Sequence, residues 1–274
     1  FQAEDGIRDS VASRGLGDVY KRQGYNMKIQ ESDLDLKGKR VLITGAASGI
    51  GAAMAKTFFE HNATTILADR DSIQLERIAE EVSGSETIVF DQGEKASIEN
   101  MCSEAQNSDI LLNNAGILWA GPFDEMPSDE ITKIVNVNLL GPMQIAHNIG
   151  KQMLKRGSGI IVNTSSQLAF HGAAERAVYA STKAGIAQFT KSLAAEWAPK
   201  GVRVVAIAPG RTLTNINLGL LNSEEKRRTA LKDIPAGRLA EAHEMARLAL
   251  LLSSDVLSYV VGETVISDGG YVLL

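Results

Sequence analysis

Tyr179 and Lys183, in the run Tyr-Ala-Ser-Thr-Lys, are spaced so that a helix sets a phenol and an ammonium on one face. An ammonium beside a phenol favours the phenolate, so the spacing predicts a tyrosine of lowered pKa, suited to proton transfer near neutrality. A second set of residues points to anion binding. Thr44-Gly45-Ala46-Ala47-Ser48-Gly49-Ile50-Gly51 follows an apolar run and opens a helical period. Glycines there allow a tight turn and close backbone approach to a pyrophosphate, and a helix start offers free amides and its positive dipole end. The spacing is G-x-x-x-G-x-G rather than G-x-G-x-x-G, and no Lys-Ser/Thr follows as a P-loop requires. Gly45, Ser48, Gly49, Ile50 and Gly51 are the residues expected to cradle a dinucleotide. Asp69 stands at the interval where a carboxylate meets an adenosine ribose 2′-hydroxyl. A carboxylate accepts from a diol and repels a 2′-phosphate, so NAD is expected and NADP disfavoured. Arg70 beside it pulls the other way, because an arginine can pair with that phosphate.

Something must hold these groups together. Lys39–Gly45, Ala63–Ala68, Thr87–Phe90, Asp109–Leu112, Gly159–Thr164, Val202–Ala208 and Thr264–Ser267 read as short, almost wholly apolar strands. Helical periods lie between them: the stretch from Ile50, then Ser72–Val82, Ser128–Arg156, Tyr179–Trp197 and Ala242–Leu252. Apolar strands alternating with helices predict an α/β fold, a single Rossmann-like, doubly wound parallel sheet with helices on both faces.

The composition excludes several function classes. The 274 residues carry 28 basic and 33 acidic side chains, net −5, with no cationic stripe, so neither nucleic acid nor membrane is an expected partner. Cys102 stands alone, and His61, His147, His171 and His243 lack ligand spacing, so no disulfide framework and no metal site is expected. No apolar run approaches the ~20 residues that span a bilayer. The expectation is a cytoplasmic protein acting on a small molecule.

Residues 1–23 have neither the apolar stretch nor the cleavage site of a signal peptide. Gln2–Asp9 and Ser13–Gln23 instead resemble translations of two sequencing-library oligonucleotides, a flow-cell adaptor and a transposase adaptor, in one frame. Ser10–Ala12 spans the index between them. Residues 1–26 are therefore expected to be adaptor-derived, the alternative being a natural disordered extension. The native sequence is expected to begin at or after Gly24, at Met27, and 27–274 to form one dinucleotide-binding catalytic domain.

Three further motifs occur in order: Asn113-Asn114-Ala115-Gly116, the Tyr179–Lys183 run, and Pro209-Gly210. Y-x-x-x-K alone recurs by chance. Together with the glycine turn, these motifs make the chain resemble the short-chain dehydrogenase/reductase family from about Leu36 through Asp268-Gly269-Gly270. The resemblance implies that Tyr179 is the general acid/base and that Lys183 also holds the nicotinamide ribose. It further implies that Ser166 donates to the substrate carbonyl as charge grows there, with Ser165 facing the other way. Asn138, in Val137-Asn138-Leu139-Leu140-Gly141, matches the asparagine that orders a water to Lys183, with Asn136 as a competitor. For the cofactor, it implies that Asp91 brackets the adenine and that Asn114, Ala115 and Gly116 line the floor. Pro209, Gly210 and Thr212 would also bind the cofactor, and Thr214 would contact the nicotinamide amide or the phosphates. Thr212 stands where an apolar residue is frequent, and Ser48 where NADPH-dependent relatives often carry a cation.

For the substrate, the expected walls are Trp119 and its neighbours, Gln167–Arg176 with His171, and a loop-helix lid over Arg211–Pro235. Arg211 is either a carboxylate or sugar ligand or a solvated loop arginine. The apolar end, Tyr271-Val272-Leu273-Leu274, is expected to be buried in the core or between subunits, and the resemblance implies a homotetramer or homodimer. The leading function is hydride transfer between NAD(H) and a secondary alcohol or ketone of the polyol, sugar acid or hydroxy-ketone class. The alternatives are an NADPH-dependent 3-oxoacyl thioester reductase and a catalytically silent dinucleotide sensor.

Overall fold

The first strand, β1 (Arg40–Thr44), is buried on both faces: Val41 and Ile43 point to one core and Leu42 to the other. The computed structural model describes residues 29–214 and 223–274. The chain divides into Phe1–Asp33 and Leu34–Leu274, and the second unit holds the sheet and all its helices. The segment 1–26 lies outside the described residues.

The strands β2 (Thr64–Asp69), β3 (Glu86–Val89), β4 (Ile110–Asn113), β5 (Gly159–Thr164), β6 (Val202–Pro209) and β9 (Thr264–Ser267) join β1 in a seven-stranded sheet. Its order is β3-β2-β1-β4-β5-β6-β9, with every pairing parallel. The order reverses direction between β1 and β4, and a ligand crevice is expected outside the carboxyl ends there. Two further strands, β7 (Thr212–Leu213) and β8 (Ala240–Glu241), form a separate pair.

On one face α1 (Gly49–Glu60) and the late helix Ala242–Ser253 pack Met54, Phe58, Met245 and Leu250 against the sheet. The other face carries α3 (Lys95–Glu104), α5 (Gly141–Arg156) and α6 (Ala177–Trp197), through Ile98, Met101, Ile145, Ile149 and Trp197. The second helix in chain order, α2, spans Ser72–Glu81. One helix, α3, has no counterpart in the sequence reading, while the polar α7 (Glu224–Leu231) falls inside the segment Arg211–Pro235 read as loop and helix. The expected Ser128–Arg156 helix is interrupted: α4 (Ser128–Val135) runs into a π turn, Asn136–Leu140, before α5 begins. Such wider turns frequently mark functional sites, and this one carries Asn138.

Candidate active site

The glycine turn between β1 and α1 needs each of its glycines for a separate reason. Gly45 and Gly49 sit at φ +70° and +56°, in the left-handed region that side chains disfavour. Gly51 has ordinary φ, but a Cβ there would stand 2.0 Å from the Gly45 carbonyl oxygen. The turn is pinned by Gly45 N–H donating to the Ala68 carbonyl at 2.8 Å. Ser48 occupies the N-cap of α1 without a side-chain capping bond, which leaves the first amides of that helix facing the crevice.

Asp69 closes β2 beside this turn. Its Oδ2 accepts from Ala47 N–H at 3.0 Å and its Oδ1 from Asp71 N–H at 3.1 Å, so the carboxylate is held in place by backbone amides. Across the switch point, Thr44 Oγ1 accepts from the amides of Asn114 (3.0 Å) and Ala115 (3.1 Å), and Asn114 Nδ2 donates to the Thr44 carbonyl at 3.1 Å. Thr44, fully buried, therefore ties the glycine turn to the Asn-Asn-Ala-Gly floor.

The candidate reacting groups stand just after β5 and on α6. Lys183, 4% exposed, donates Nζ–H to the Thr164 carbonyl at 2.8 Å, and Nζ lies 5.8 Å from the Tyr179 ring centroid. Ser166 and Tyr179 line the same cleft, and Ser166 Oγ accepts from Leu168 N–H at 3.2 Å. Ser165 turns away and donates to the Lys183 carbonyl at 2.8 Å, as the alternation of an extended chain requires. A buried polar chain sets α6 against the sheet: Asn113 Nδ2 donates to the Pro142 carbonyl and to Asn163 Oδ1, and Asn163 Nδ2 donates to Thr190 Oγ1. Just before α6, Glu175 adopts φ +61°, a strained conformation for a side-chain-bearing residue, and its carbonyl accepts from Gly121 N–H.

The structure corrects the expected lowering of the tyrosine pKa. Burial pushes the Tyr179 phenol above its ordinary value, with the Ser166 hydroxyl acting in the opposite direction. Burial also brings Lys183 down to about 8. Desolvation of both groups outweighs the attraction that their helical spacing suggested.

Stability should depend on pH as a result. The Lys183 pKa is lower folded than unfolded, so the unfolded chain binds more protons between about pH 8 and 10.5 and stability should rise across that window. Tyr179 acts in the opposite sense only above its ordinary value near 10. Between pH 8 and 9.5 the gain should be on the order of 1–2 kcal/mol, a few degrees in Tm. Thermal melts of the protein without cofactor should show this rise relative to Lys183→Met, and parallel pH profiles would contradict it.

Asn138 is fully buried and does not line the crevice. Its Oδ1 accepts from Ile117 N–H and its Nδ2 donates to the Ile117 carbonyl, both at 2.8 Å. It lies next to Lys183 across Gly116, whose Cβ would stand 3.3 Å from Asn138 Oδ1 and 3.4 Å from Lys183 Nζ. Its side chain therefore positions the strand-end loop beside the lysine.

Between these elements lies a cleft of about 1260 Å³. That exceeds the roughly 300–1,000 Å³ usual for one small ligand and gives room for a dinucleotide with a substrate beside it. Gly45, Ser48, Gly49, Ile50, Asp69, Arg70 and Asp91 line one end. Asn114, Ala115, Gly116, Ser166, Tyr179, Lys183, Pro209, Gly210, Thr212 and Thr214 line the remainder. Gly51 does not; its part is the close approach to the Gly45 carbonyl. The uncapped helix start, the left-handed glycines and the fixed Asp69 carboxylate fit the pyrophosphate and ribose of a nicotinamide dinucleotide.

Trp119 is a second correction. Its ring lies against Gly121 and lines a small side cavity with Arg176 and Tyr179, not the main cleft, whereas its expected neighbours Ile117 and Leu118 do line that cleft. His171 packs edge-on against Tyr271 at 5.3 Å. Of the expected lid, residues 215–222 lie outside the described residues. Leu273 and Leu274 are 82% and 80% exposed, so the core does not take up the apolar terminus; only Tyr271 of that run lines the cleft.

Three contributors were not singled out by the sequence: Thr44, Gln92 and Asn163. Gln92, 5% exposed, donates to the Ala115 carbonyl at 3.0 Å and to the Val137 carbonyl at 2.8 Å, joining the cofactor floor to the π turn. Adjacency to Asp91 was the one available signal. Among the described residues no cluster is suited to a metal ion, and no helix is long and apolar enough to cross a membrane.

Comparison with known proteins is consistent with this geometry. A family model described as enoyl-(acyl carrier protein) reductase matches residues 45–272. An NAD-dependent glycerol dehydrogenase of Listeria innocua is 35% identical over 253 residues, 89% of this chain and 97% of that protein. A 3-oxoacyl-[acyl-carrier-protein] reductase of Thermotoga maritima is 36% identical over 246 residues, 87% of this chain and 99% of that one. The crystal structure of a gluconate 5-dehydrogenase from Burkholderia cenocepacia, in complex with NADP and tartrate, superposes with a TM-score of 0.83 at 31% identity. It covers 89% of this chain and 99% of its own.

Proposed function

The chain belongs to the short-chain dehydrogenase/reductase family, and from that premise we propose that it transfers hydride between NAD(H) and a secondary alcohol or its ketone, with a polyol, sugar acid or hydroxy-ketone as substrate. The observation that carries this reading is the convergence of Ser166, Tyr179 and Lys183 in one cleft whose far end presents the Asp69 carboxylate.

When bound, the dinucleotide supplies the hydride acceptor or donor. The chain's own residues manage the proton and the developing charge. Ser166 and the Tyr179 phenol, which line the same cleft, would both face the substrate oxygen, one donating a hydrogen bond and the other exchanging the proton. Because burial keeps Tyr179 in the phenol form, the donor for carbonyl reduction is ready at neutral pH, while oxidation requires the phenol to lose its proton first. Lys183 is held at the Thr164 carbonyl, where its charge lies beside the phenol and within the cofactor floor. Asn138 acts through the Ile117 loop that borders this lysine.

Similarity does not choose between polyol dehydrogenase and thioester reductase, because relatives of both kinds match at 35% and 36% identity. Asp69 favours NAD and hence the dehydrogenase. The Asp69→Asn variant, which removes the repelling charge and keeps a hydrogen-bonding side chain, should improve kcat/KM with NADP relative to NAD by about tenfold or more, ~1.4 kcal/mol. An unchanged ratio would assign the discrimination elsewhere, with Arg70 the first suspect. We also propose 27–274 as the catalytic domain. Family membership and the exposed Leu273 and Leu274 support assembly as a homotetramer or homodimer. The function itself is tested by following reduced cofactor with NAD and NADP against polyols, hydroxy acids, steroid alcohols and a 3-oxoacyl thioester. Turnover of the thioester alone, with NADPH, would overturn it.

A further inference from the structure

Several arginines among the described residues are already committed to structure or to carboxylates. Arg203 spends its guanidinium on structure, donating to the carbonyls of Leu252, Ser254 and Leu257. Arg40 and Arg238 are matched by bidentate carboxylates, Glu86 and Glu244. Arg211 differs. Its Nη1 donates to the Ala230 carbonyl at 2.6 Å, its Cζ lies 5.4 Å from the Tyr271 ring centroid, and it lines the cleft. Among the described residues no carboxylate pairs with it.

The location relates Arg211 to the reacting atoms. It follows Gly210, at whose Cα the Gln167 side chain packs so closely that a Cβ would stand 2.8 Å from Gln167 Oε1. Gln167 in turn follows Ser166. The arginine thus rises from the wall next to the hydroxyl that faces the substrate oxygen. Its platform is fixed too: Asp268 accepts from the amides of Gly270 and Val272, holding the turn that carries Tyr271, and His171 packs edge-on against that ring. A guanidinium held by one nitrogen and stacked on an aromatic face keeps its other N–H groups pre-oriented, so less side-chain entropy is lost when they engage an anion. The lining also includes Arg176, whose partner is Glu175, and the exposed Glu225.

We infer that Arg211 is the receptor for a substrate carboxylate, so that the alcohol oxidised is borne on a polyhydroxy acid anion. The planar fork of a guanidinium matches a carboxylate through paired N–H···O bonds, a geometry that a neutral polyol does not offer. Gln167, 4% exposed and with its Oε1 unpartnered, supplies an acceptor for a hydroxyl near the reacting carbon. After the Tyr179 phenol has released its proton to solvent, the carbinol carbon loses hydride to NAD and its oxygen loses a proton to the phenolate, giving a keto acid, NADH and one proton overall; the carboxylate passes through unchanged. This inference rests on the oxidoreductase reading of the same cleft.

The test compares acids with neutral polyols of equal carbon number. D-gluconate against D-glucitol, and L-threonate against D-threitol, are titrated calorimetrically into the NAD-saturated protein, and kcat/KM is measured for each. At least one acid should exceed its neutral partner about tenfold or more in affinity and in kcat/KM. In Arg211→Met, which keeps an aliphatic chain over Tyr271, that acid-to-neutral ratio should fall about tenfold. Arg211→Lys, which retains charge without the fork, should lie between. Acids that bind no better than their partners, or a ratio that Arg211→Met leaves within twofold, would overturn the assignment. Should the Met variant fail to fold, the wild-type ratio and the Lys variant still decide. Acid binding that depends on Arg211, without reduced cofactor from any alcohol, would overturn the oxidoreductase reading and leave the carboxylate site standing.

Discussion

Tyr179→Phe should lower kcat by about 10³-fold or more, ~4 kcal/mol of transition-state stabilisation, while the Kd for NADH stays within twofold. The substitution removes one oxygen and keeps the ring that Lys183 faces at 5.8 Å. Proton exchange with the substrate oxygen then has no carrier: Ser166 is a poor acid, and Lys183 is committed to the Thr164 carbonyl. The dinucleotide end of the cleft, with Asp69 and the glycine turn, is untouched, so binding and turnover should separate. Stopped-flow hydride transfer together with a fluorescence titration of NADH checks both halves. Retained turnover would show that the proton travels by another route. Joint loss of turnover and NADH binding would mean that the phenol serves structure rather than chemistry.

Gly51→Ala should be nearly as damaging by a different physical route. The new methyl would meet the Gly45 carbonyl oxygen at 2.0 Å and Asn114 Nδ2 at 2.8 Å. The first partner is backbone held by the Gly45–Ala68 hydrogen bond, and the second side chain is anchored on the Thr44 carbonyl, so neither yields cheaply. The expected result is a loss of about 3 kcal/mol in stability, the upper end of ordinary overpacking, with NAD affinity down about 100-fold as the turn is displaced. Gly84→Ala is the contrast. It has open space for a Cβ but sits at φ +89°, so about 1 kcal/mol of backbone strain is expected, with NAD affinity unchanged. Denaturation curves and calorimetric titration separate the two effects. Equal behaviour of the two variants would remove the steric argument.

The different legibility of these residues has physical causes. The sheet was readable because its central strands, β1, β4 and β6, are buried on both faces and so are written as unbroken apolar runs; Gly159–Thr164 and Thr264–Ser267 also fall where the pattern puts them. The glycine turn was readable because backbone conformation and close packing each leave a residue-type signature. The π turn at Asn136–Leu140 was not, since its sequence preserves the helical period on both sides and the extra residue shows only in hydrogen bonding. Gln92 and Asn163 were invisible for a related reason: their partners are carbonyls and side chains far along the chain, including Val137 and Thr190. Trp119 was misplaced because an aromatic next to a motif looks like a pocket wall until the Gly121 backbone is seen to receive it. The tyrosine pKa went astray for the most general reason. Spacing on a helix reports proximity and says nothing of desolvation, and here burial governs both Tyr179 and Lys183.

The central claim is direct hydride transfer from a carbinol carbon to NAD with the proton leaving through Tyr179. It is tested most directly by the fate of deuterium. The protein is incubated with NAD and its best alcohol substrate deuterated at the carbinol carbon, and the reduced cofactor is examined by mass spectrometry. One deuterium should appear per NADH formed, none should be released to water, and Tyr179→Phe should form no labelled NADH on the same timescale. Deuterium appearing in solvent rather than in NADH, or labelled NADH forming at the wild-type rate without the phenol, would contradict it.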